Sequence, residues 1–308
     1  MNRRSGTEGL RTRFTLVTVL ISISACGGQT ALGGSELLVS TQYETNWEVS
    51  ILNLEESILF RTTRDPGIDT DPDWSPNGEE ILIVSTRRGS EAATDPSGDE
   101  ELFVLNRDGS VVRQLTNNLF QDTQPDWSPD GNWISFKSDR TGRPEIFIMR
   151  SDGTEVRQLT NNAAEDWSPD WSPDGRSLVF ASDRNGNFDI FVMRADGSEL
   201  SQVTDSPQID WYPNWSPDGE TVAFASNRYG NFDIFLVRAD GSELRQVTDS
   251  PANELEPIWS PTGDALAFTE AGSGDFRVLV LDLDSGQVTD TGLRGIPADW
   301  RNARLADN

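Results

Sequence analysis

The sequence predicts an all-β fold made of repeated four-stranded units, and three features support this prediction. The motif Trp-Ser-Pro-x-Gly returns five times at a nearly constant spacing. Short segments of alternating or continuous apolar residues follow each copy, as expected for β-strands. Asp-Gly and Pro-Asp-Gly sequences separate these segments, and they supply the positive φ angles that tight turns require.

The repeat has a period of 44 residues. Its tryptophans are separated by 53, 44, 44 and 44 residues, and the first spacing becomes 44 when nine residues of a loop insertion are removed. These tryptophans are Trp74, Trp127, Trp171, Trp215 and Trp259. In the stretch DWSPDWSPDG, Trp171 keeps the register and Trp167 stands outside it. Only the second half of that stretch therefore reports the fold.

Each unit is predicted to contain four antiparallel strands. The first carries the tryptophan, and Ser-Pro-x-Gly turns the chain into an alternating second strand such as residues 178–182. The third strand, such as residues 189–193, is almost continuously apolar, which suits burial on both faces. An Asp-Gly turn leads into the fourth strand. Four antiparallel strands in about 44 residues make one blade of a β-propeller.

The two ends of the repeat region predict a sixth unit. Residues 37–63 supply second, third and fourth strands without a tryptophan strand, and residues 296–302 supply a tryptophan strand containing Trp300. We expect the C-terminal strand to join the N-terminal blade, close the ring and leave no long open edge. The sequence therefore predicts a six-bladed β-propeller over residues 37–302, followed by a tail of residues 303–308.

The first 25 residues have the layout of an export signal. Four arginines, Arg3, Arg4, Arg11 and Arg13, precede an apolar run over residues 14–25, which is too short to span a bilayer. The run ends in Ile-Ser-Ala-Cys, and Cys26 is the one cysteine of the chain. This resembles a bacterial lipobox, which implies a lipid anchor on Cys26 and an exported protein facing the periplasm or the cell surface. An ordinary cleaved signal is the alternative. Residues 26–36 are predicted to be a flexible tether.

The repeat resembles a known family. The order PDWSPDG, strand, SDRxGxxEIF and DGSxxRQLT looks like the TolB-type propeller repeat, and it is similar to propellers of the prolyl oligopeptidase family. The resemblance covers residues 37–302 and implies a propeller, an exported location and a tendency to bind partners. The chain departs from TolB, which carries a separate N-terminal domain, and from the peptidases, whose hydrolase domain has no counterpart in these 308 residues.

Composition and charge exclude several function classes. The formal net charge is -26 and there is no histidine. Nucleic acid is therefore not an expected partner, whereas a basic peptide segment of an envelope protein, or a cation, would suit the charge. A Ser-His-Asp triad, a histidine-ligated metal and a histidine general base cannot form. We expect a monomeric, non-enzymatic binding or scaffold module. The alternatives are a carboxylate-dependent enzyme or binding protein for polysaccharide, and a purely structural envelope protein.

A carboxylate stands five residues before the tryptophan in each full unit. These carboxylates are Asp69, Asp122, Asp166, Asp210 and Glu254. Because the first strand of a propeller blade lines the central channel, we expect them to form a ligand-binding ring at one channel mouth, where they attract a cation or a basic peptide end. In the alternative, each accepts hydrogen bonds from backbone N–H groups of its own turn. The two interpretations are compatible.

The two positions between this carboxylate and the following proline differ from unit to unit. In two adjacent units they carry Trp167, Trp211 and Tyr212. We predict that these side chains form an aromatic rim beside the acidic ring, able to stack on a sugar or to hold a cation. The alternative is packing between the loops of neighbouring blades.

Two further patterns favour structural roles. Asp183, Asn185, Asn187 and Asp189 alternate like calcium ligands, but the other units do not keep them and the bidentate glutamate of a calcium loop is missing. We therefore expect a hairpin loop and no cofactor, with calcium as the alternative. Four arginines recur at one position of the repeat, and we expect them to pair or stack between blades. They are Arg87, Arg140, Arg184 and Arg228.

Overall fold

The computed structural model describes residues 35–87, 99–272 and 275–302. The predicted signal sequence, Cys26, most of the predicted tether and the tail of residues 303–308 lie outside the described residues. The described chain consists of 23 β-strands and the turns between them. Within these three ranges, no helix has the length and hydrophobicity that crossing a bilayer would require.

Four of the repeats form separate four-stranded antiparallel sheets, with the tryptophan strand at one side of each sheet. The first sheet contains β4 (Asp69–Trp74), β5 (Glu80–Ser85), β6 (Glu101–Asn106) and β7 (Val111–Gln114). The second contains β8 (Asp122–Trp127), β9 (Trp133–Ser138), β10 (Glu145–Arg150) and β11 (Arg157–Gln158). The third contains β12 (Asp166–Trp171), β13 (Ser177–Ser182), β14 (Asp189–Arg194) and β15 (Ser201–Gln202). The fourth contains β16 (Asp210–Trp215), β17 (Thr221–Ser226), β18 (Asp233–Arg238) and β19 (Arg245–Gln246).

The two ends of the chain share a seven-stranded sheet, in the order β20, β21, β22, β23, β1, β2, β3. Its strands are β1 (Ser35–Tyr43), β2 (Asn46–Asn53), β3 (Ile58–Arg61), β20 (Asn253–Trp259), β21 (Ala265–Ala271), β22 (Phe276–Asp282) and β23 (Val288–Asn302). The first strand begins at Ser35, two residues before the predicted boundary.

Strand β23 belongs to two groups of strands. Its first half pairs with β22, from Val288 to Arg294, and its second half pairs with β1, where Trp300 lies opposite Leu37. The sequence suggested two separate short strands here, whereas the backbone remains extended through both. The N-terminal strands therefore receive their tryptophan strand from the C-terminal end of the described chain.

Apolar side chains pack between neighbouring sheets. The third strands are almost wholly buried, as their continuous apolar runs predict. One cluster, for example, joins Val84 and Val104 of the first sheet to Trp127, Phe136 and Phe147 of the second. Burying large aromatic and aliphatic side chains between sheets supplies the main stabilising term of such a fold.

At five junctions a part-buried hydrogen bond also joins a tryptophan strand to its neighbour. The residue before the tryptophan in one sheet accepts the backbone N–H of the tryptophan in the next. The bonds run from Trp74 to Asp299 (3.0 Å), Trp127 to Asp73 (2.7 Å), Trp171 to Asp126 (2.6 Å), Trp215 to Asp170 (2.7 Å) and Trp259 to Asn214 (3.1 Å). We call these bonds the inter-sheet clasps. Between β20 and β23 the acceptor position holds Ile258, and the Trp300 N–H bonds to Asp299 instead.

Burial raises the pKa of the clasp carboxyl groups. The pKa of Asp170 rises to about 7, although hydrogen bonds from the Trp215 N–H and the Asn214 amide oppose the shift. Burial and the neighbouring carboxyl groups also raise the pKa values of Asp73 and Asp126 well above the usual range. Much of this acidic core is therefore protonated under mildly acidic conditions.

We predict that stability falls as the pH rises through 7. A carboxyl group with a raised pKa in the folded state contributes stability that is complete below its unfolded pKa, near 4, and is lost as the pH passes the folded pKa. For Asp170 alone the loss between pH 5 and pH 8 is on the order of 3 kcal/mol. Urea unfolding across this range should show the loss, and Asp170→Asn should reduce its slope.

The matched control is Asp170→Ala, because it removes the clasp acceptor together with the titrating group. Asn214 shows that an amide can serve as a clasp acceptor. We therefore expect Asp170→Asn to fold normally and Asp170→Ala to lose about 1 to 3 kcal/mol at pH 5. An unchanged pH slope in Asp170→Asn would contradict the assignment.

Candidate functional site

The tryptophan strands share an irregular backbone three residues before the tryptophan. Pairing with the second strand shifts at this point in β4, β8, β12, β16 and β20. The residue there adopts a left-handed conformation, with φ between 46° and 55°, although none of the five is glycine. They are Asp71, Gln124, Ser168, Tyr212 and Glu256. Such a bulge redirects a side chain, and non-glycine residues adopt this region at a cost.

These five residues line a cavity where the tryptophan strands converge. The cavity has a volume of about 150 Å³, enough for a few water molecules. Prolines from the same strands and from β23 form much of its wall, and the clasp residues also contribute. The prolines are Pro72, Pro125, Pro169, Pro213, Pro257 and Pro297. We call this space the central cavity.

In addition to the clasp aspartates, two further carboxyl groups with raised pKa values line the central cavity. Burial and the nearby Asp71 carboxylate raise the pKa of Glu256 to about 8, so that Glu256 is mostly protonated at neutral pH. Thr269 donates a hydrogen bond to Glu256 Oε2 at 3.1 Å. Burial also raises the pKa of Asp71, which accepts the Gln124 N–H at 3.3 Å. The cavity can therefore both donate and accept hydrogen bonds through its acids.

Tyr212 is the one predicted site residue that lines the central cavity within the described chain. Burial, together with the negative charges of Glu256 and Asp71, raises the pKa of its hydroxyl group. The phenol therefore stays protonated at neutral pH. Because it has both a ring and a hydroxyl donor, Tyr212 can stack on a ligand and orient it.

Trp167 lies beside the cavity and contacts a buried cation. The Nζ atom of Lys137 stands 4.1 Å from the centroid of its ring. The indole N–H of Trp167 donates a hydrogen bond to Glu165 Oε2 at 3.3 Å. The negative charge of Glu100 favours the protonated form of Lys137, and burial together with repulsion from the cavity residue Asp71 raises the pKa of Glu100. We call Lys137, Trp167, Glu165 and Glu100 the lysine cluster.

Trp211 packs between aromatic side chains of two sheets. Its ring is parallel to that of Phe232 at 5.7 Å and meets the edge of Phe188, from the preceding sheet, at 5.5 Å. Its ring also contacts Tyr212 at 6.0 Å. The contacts of Trp211 are therefore those of the packing arrangement that the sequence left as an alternative.

The four predicted aspartates are fully buried and each is paired with an arginine. The Asp–Arg distances are 2.7 Å for Asp69–Arg87, 2.8 Å for Asp122–Arg140, 2.9 Å for Asp166–Arg184 and 3.0 Å for Asp210–Arg228. None of these aspartates lines the central cavity. The arginines were expected to pair or stack between blades. They instead join the first strand of one sheet to the loop after its second strand, and Arg184, for example, stacks on Phe191 of that sheet at 4.7 Å.

Glu254 differs from the four aspartates. It is buried, which raises its pKa, and its Oε2 has no hydrogen-bond partner among the described residues. The arginine position of its unit holds Gly272. Sequence reasoning could have found these pairs, because the arginine recurs in the units that have Asp and is missing in the unit that has Glu.

The alternating polar loop before β14 is held by hydrogen bonds to the segments before β12 and after β15. Asp183 accepts the Glu165 N–H, Asn187 donates to the Ser206 carbonyl, and Asp189 accepts the Ser206 N–H. Within the described ranges, no group of three or more acidic or cysteine side chains has an arrangement that could hold a metal ion. These contacts are those of the expected hairpin loop.

Sequence comparisons point to propellers. Residues 161–292 match the family model of the TolB beta propeller domain, and residues 97–188 match that of the Tricorn protease N-terminal beta propeller domain. The chain is 30% identical over 92 residues to the Protein TolB homolog of Chlorobium luteolum and 35% identical over 65 residues to the Uncharacterized peptidase YuxL of Bacillus subtilis. These matches cover 30% and 21% of this chain but 19% and 9% of the relatives.

Solved structures share the fold over most of the chain. A putative TolB from Agrobacterium tumefaciens superposes with a TM-score of 0.69 and 25% identity, over 85% of this chain and 90% of that one. TolB from Acinetobacter baumannii superposes with a TM-score of 0.71 and 18% identity, over 87% of this chain and 66% of that one. A puromycin hydrolase gives 0.61 and 19%, over 84% of this chain and 43% of its own. The repeated sheets and these matches together show that the chain carries a TolB-like β-propeller.

Proposed function

We propose that this protein is an exported, lipid-anchored β-propeller that binds an envelope protein through a basic peptide segment, without catalysing a reaction. The observation that carries the proposal is the lining of the central cavity. Its five left-handed positions hold five different side chains, although the backbone there is the same in each unit. A purely structural role would favour glycine or asparagine at a left-handed position. Different polar and aromatic side chains at these positions suit a surface shaped for a ligand.

The proposal includes a closed ring of six blades. In it, the second half of β23 with β1, β2 and β3 forms one blade, and β20, β21 and β22 with the first half of β23 form another. The clasp from Trp74 to Asp299 supports the closure, because it joins β4 to β23 across the two ends of the repeat region. Closure places the central cavity on the axis of the ring.

Charge favours a basic partner. The chain has a net charge of -26. Glu100 and Glu165 bring carboxylates to the lysine cluster, and Asp71 brings one to the central cavity. A negative potential at a concave site raises the encounter rate with a cationic segment. Similarity to TolB proteins from bacteria agrees with an envelope location and an envelope partner.

The ligand-binding role of the eight sequence-predicted residues stays a prediction. We propose a different contribution for each group of them, according to its position in the structure. We propose that Tyr212 and Trp167 contact the ligand, and that Trp211 supports Tyr212. We propose that Asp69, Asp122, Asp166 and Asp210, each paired with an arginine, and Glu254, which has Gly272 at the arginine position, hold the first strands in place instead of contacting the ligand.

We predict that Tyr212→Asn and Glu256→Gln weaken partner capture at least tenfold while the protein remains folded. Asparagine accepts a left-handed backbone, and glutamine keeps an acceptor for the Thr269 hydroxyl. The measurement is a pull-down from the native envelope with the soluble form that starts after Cys26, accompanied by thermal melts. Tyr229→Ala is the control, because Tyr229 is 74% exposed and does not line the cavity.

Three outcomes would count against the binding proposal. The first is capture that both cavity variants retain in full. The second is a loss of capture that appears equally in Tyr229→Ala. The third is a wild-type pull-down without any captured protein, combined with an empty ligand screen, which would favour the purely structural envelope protein.

The buried aspartates should behave differently from the cavity residues. We predict that Asp166→Asn destabilises the protein by about 2 to 4 kcal/mol, because it leaves the partly buried Arg184 without its charge partner. Glu254→Gln is the matched variant without an arginine partner, and it should cost less than about 1 kcal/mol. Urea unfolding measures both. Equal losses would show that the arginine pairing does not stabilise the unit.

The lipid anchor rests on the sequence around Cys26, and its prediction is direct. Cys26→Ser should abolish incorporation of a labelled fatty acid and move the protein from the membrane fraction to the soluble fraction. Metabolic labelling followed by fractionation measures both. An unlabelled wild-type protein that is cleaved after residue 25 would instead indicate an ordinary signal peptide.

One observation favours a second candidate function, a carboxylate-dependent enzyme acting on polysaccharide. Glu256 has a pKa of about 8 and lies within reach of the negative charge of Asp71, and a protonated acid beside a carboxylate is the pair such hydrolysis uses. Asp210 is a poor catalytic candidate, since it is buried against Arg228. Release of reducing ends from a cell-wall glycan panel, abolished by Glu256→Gln, would support the enzyme over the binding module.

A further inference from the structure

Lys137 is chemically exceptional in this chain. It is the single lysine, and the other 24 basic side chains are arginines. Lys137 lies on the second strand of its sheet, opposite Thr123, which stands four residues before the tryptophan. The equivalent second-strand residues of the other units are Val84, Ala181, Ala225 and Thr269. Because uncharged side chains serve in these units, the fold itself does not require a cation here.

The side chain of Lys137 is buried, and the residues that the structure describes offer it no salt-bridge partner. It is 6% exposed, whereas lysines are rarely buried unless they are paired. Its Nζ lies against the Trp167 ring at 4.1 Å, and no carboxylate of the described residues lies within salt-bridge distance of it. The aromatic face is therefore its direct partner.

Carboxylates surround this contact at longer range. Burial lowers the pKa of Lys137, and the negative charges of Glu100, Asp71, Asp139 and Glu165 oppose that shift. An aromatic face combined with a diffuse negative potential is the environment that binds ammonium groups through cation–π attraction. A planar guanidinium instead favours a carboxylate that accepts two parallel N–H bonds, as Glu80 does from Arg113 at 3.0 Å each.

We propose that Trp167, Glu165, Glu100 and Asp71 form an ammonium-binding subsite, which Lys137 occupies in the free protein and which a lysine side chain or amino terminus of a partner enters in its place. The exchange replaces one buried ammonium by another, so that the subsite is not left with uncompensated negative charge. The displaced Lys137 has a flexible four-carbon stem that can carry its charge to water. This inference rests on the proposed function and specifies the chemical group that the partner inserts.

The single lysine provides a site-specific probe of the exchange. Protein made with ¹³Cε-labelled lysine should give one side-chain NMR signal, and its proton shift should be displaced upfield by the Trp167 ring. Trp167→Leu should remove this displacement and so assign it. We expect trilysine to shift the wild-type signal toward the value of a solvated lysine, in a saturable manner.

Matched peptides and variants test the chemistry of the subsite. Triarginine with an acetylated amino terminus, and trilysine with all its amines acetylated, should shift the Lys137 signal much less than unmodified trilysine does. Lys137→Met removes the internal competitor but keeps a side chain of similar length, so it should bind trilysine about tenfold more tightly than the wild type, a difference of about 1.4 kcal/mol. Calorimetry measures the affinities.

Each outcome separates this inference from the proposed function. Binding of trilysine that leaves the Lys137 signal unmoved, or equal binding of triarginine, would overturn the exchange while leaving a basic-segment binding site in place. No binding of either basic peptide by any form, combined with an intact pull-down of an envelope partner, would also overturn the subsite but would preserve the partner. Absence of both would remove the proposed function itself.

Discussion

The inter-sheet clasp is the interaction on which the rest of the structure depends. A buried carboxyl or amide oxygen on one tryptophan strand accepts the backbone N–H of the tryptophan in the next sheet, at 2.6 to 3.1 Å. Apolar packing between sheets is strong but does not specify direction, whereas this bond fixes the separation and register of neighbouring strands. Leaving the tryptophan N–H without an acceptor in this interior would cost about 1 to 3 kcal/mol. The clasp therefore sets how closely the strands approach the central cavity.

The clasp also determines which residues remain available for binding. The tryptophan packs between sheets, the residue before it makes the clasp, and the residue five before it is buried against an arginine in four units. Between these positions the bulge turns one left-handed residue into the cavity and leaves one residue beside it. Variation is therefore concentrated at these two positions, since the others are committed to holding the sheets together. In the proposed binding role, a ligand would be recognised largely by the side chains at these two positions and by those around them.

The sequence predicts the fold more completely than the site because the two depend on different kinds of pattern. Period, strand order and turn chemistry are local, and a tryptophan every 44 residues with Asp-Gly turns is enough to place the sheets. The partner of Asp166 is Arg184, 18 residues away, and the sequence marks such a pair only through the joint recurrence of Asp and Arg across the units, not through the carboxylate itself. The continuous course of β23 and the left-handed bulge were likewise hidden, because no glycine marks the bulge. Lys137 was missed although its uniqueness was visible in the composition.

A repeat protein can recognise an asymmetric ligand only where its symmetry is broken. The Asp–Arg pairs, the prolines and the tryptophans recur and would present similar chemistry from every side. Lys137, Trp167, Tyr212 and Glu256 each occur in one unit, and the first three come from three consecutive sheets. A basic chain entering the central cavity would therefore meet an aromatic ring with an internal ammonium on one side and a protonated acid on another. This asymmetry would fix the orientation of the ligand about the axis, which a ring of equivalent carboxylates could not do.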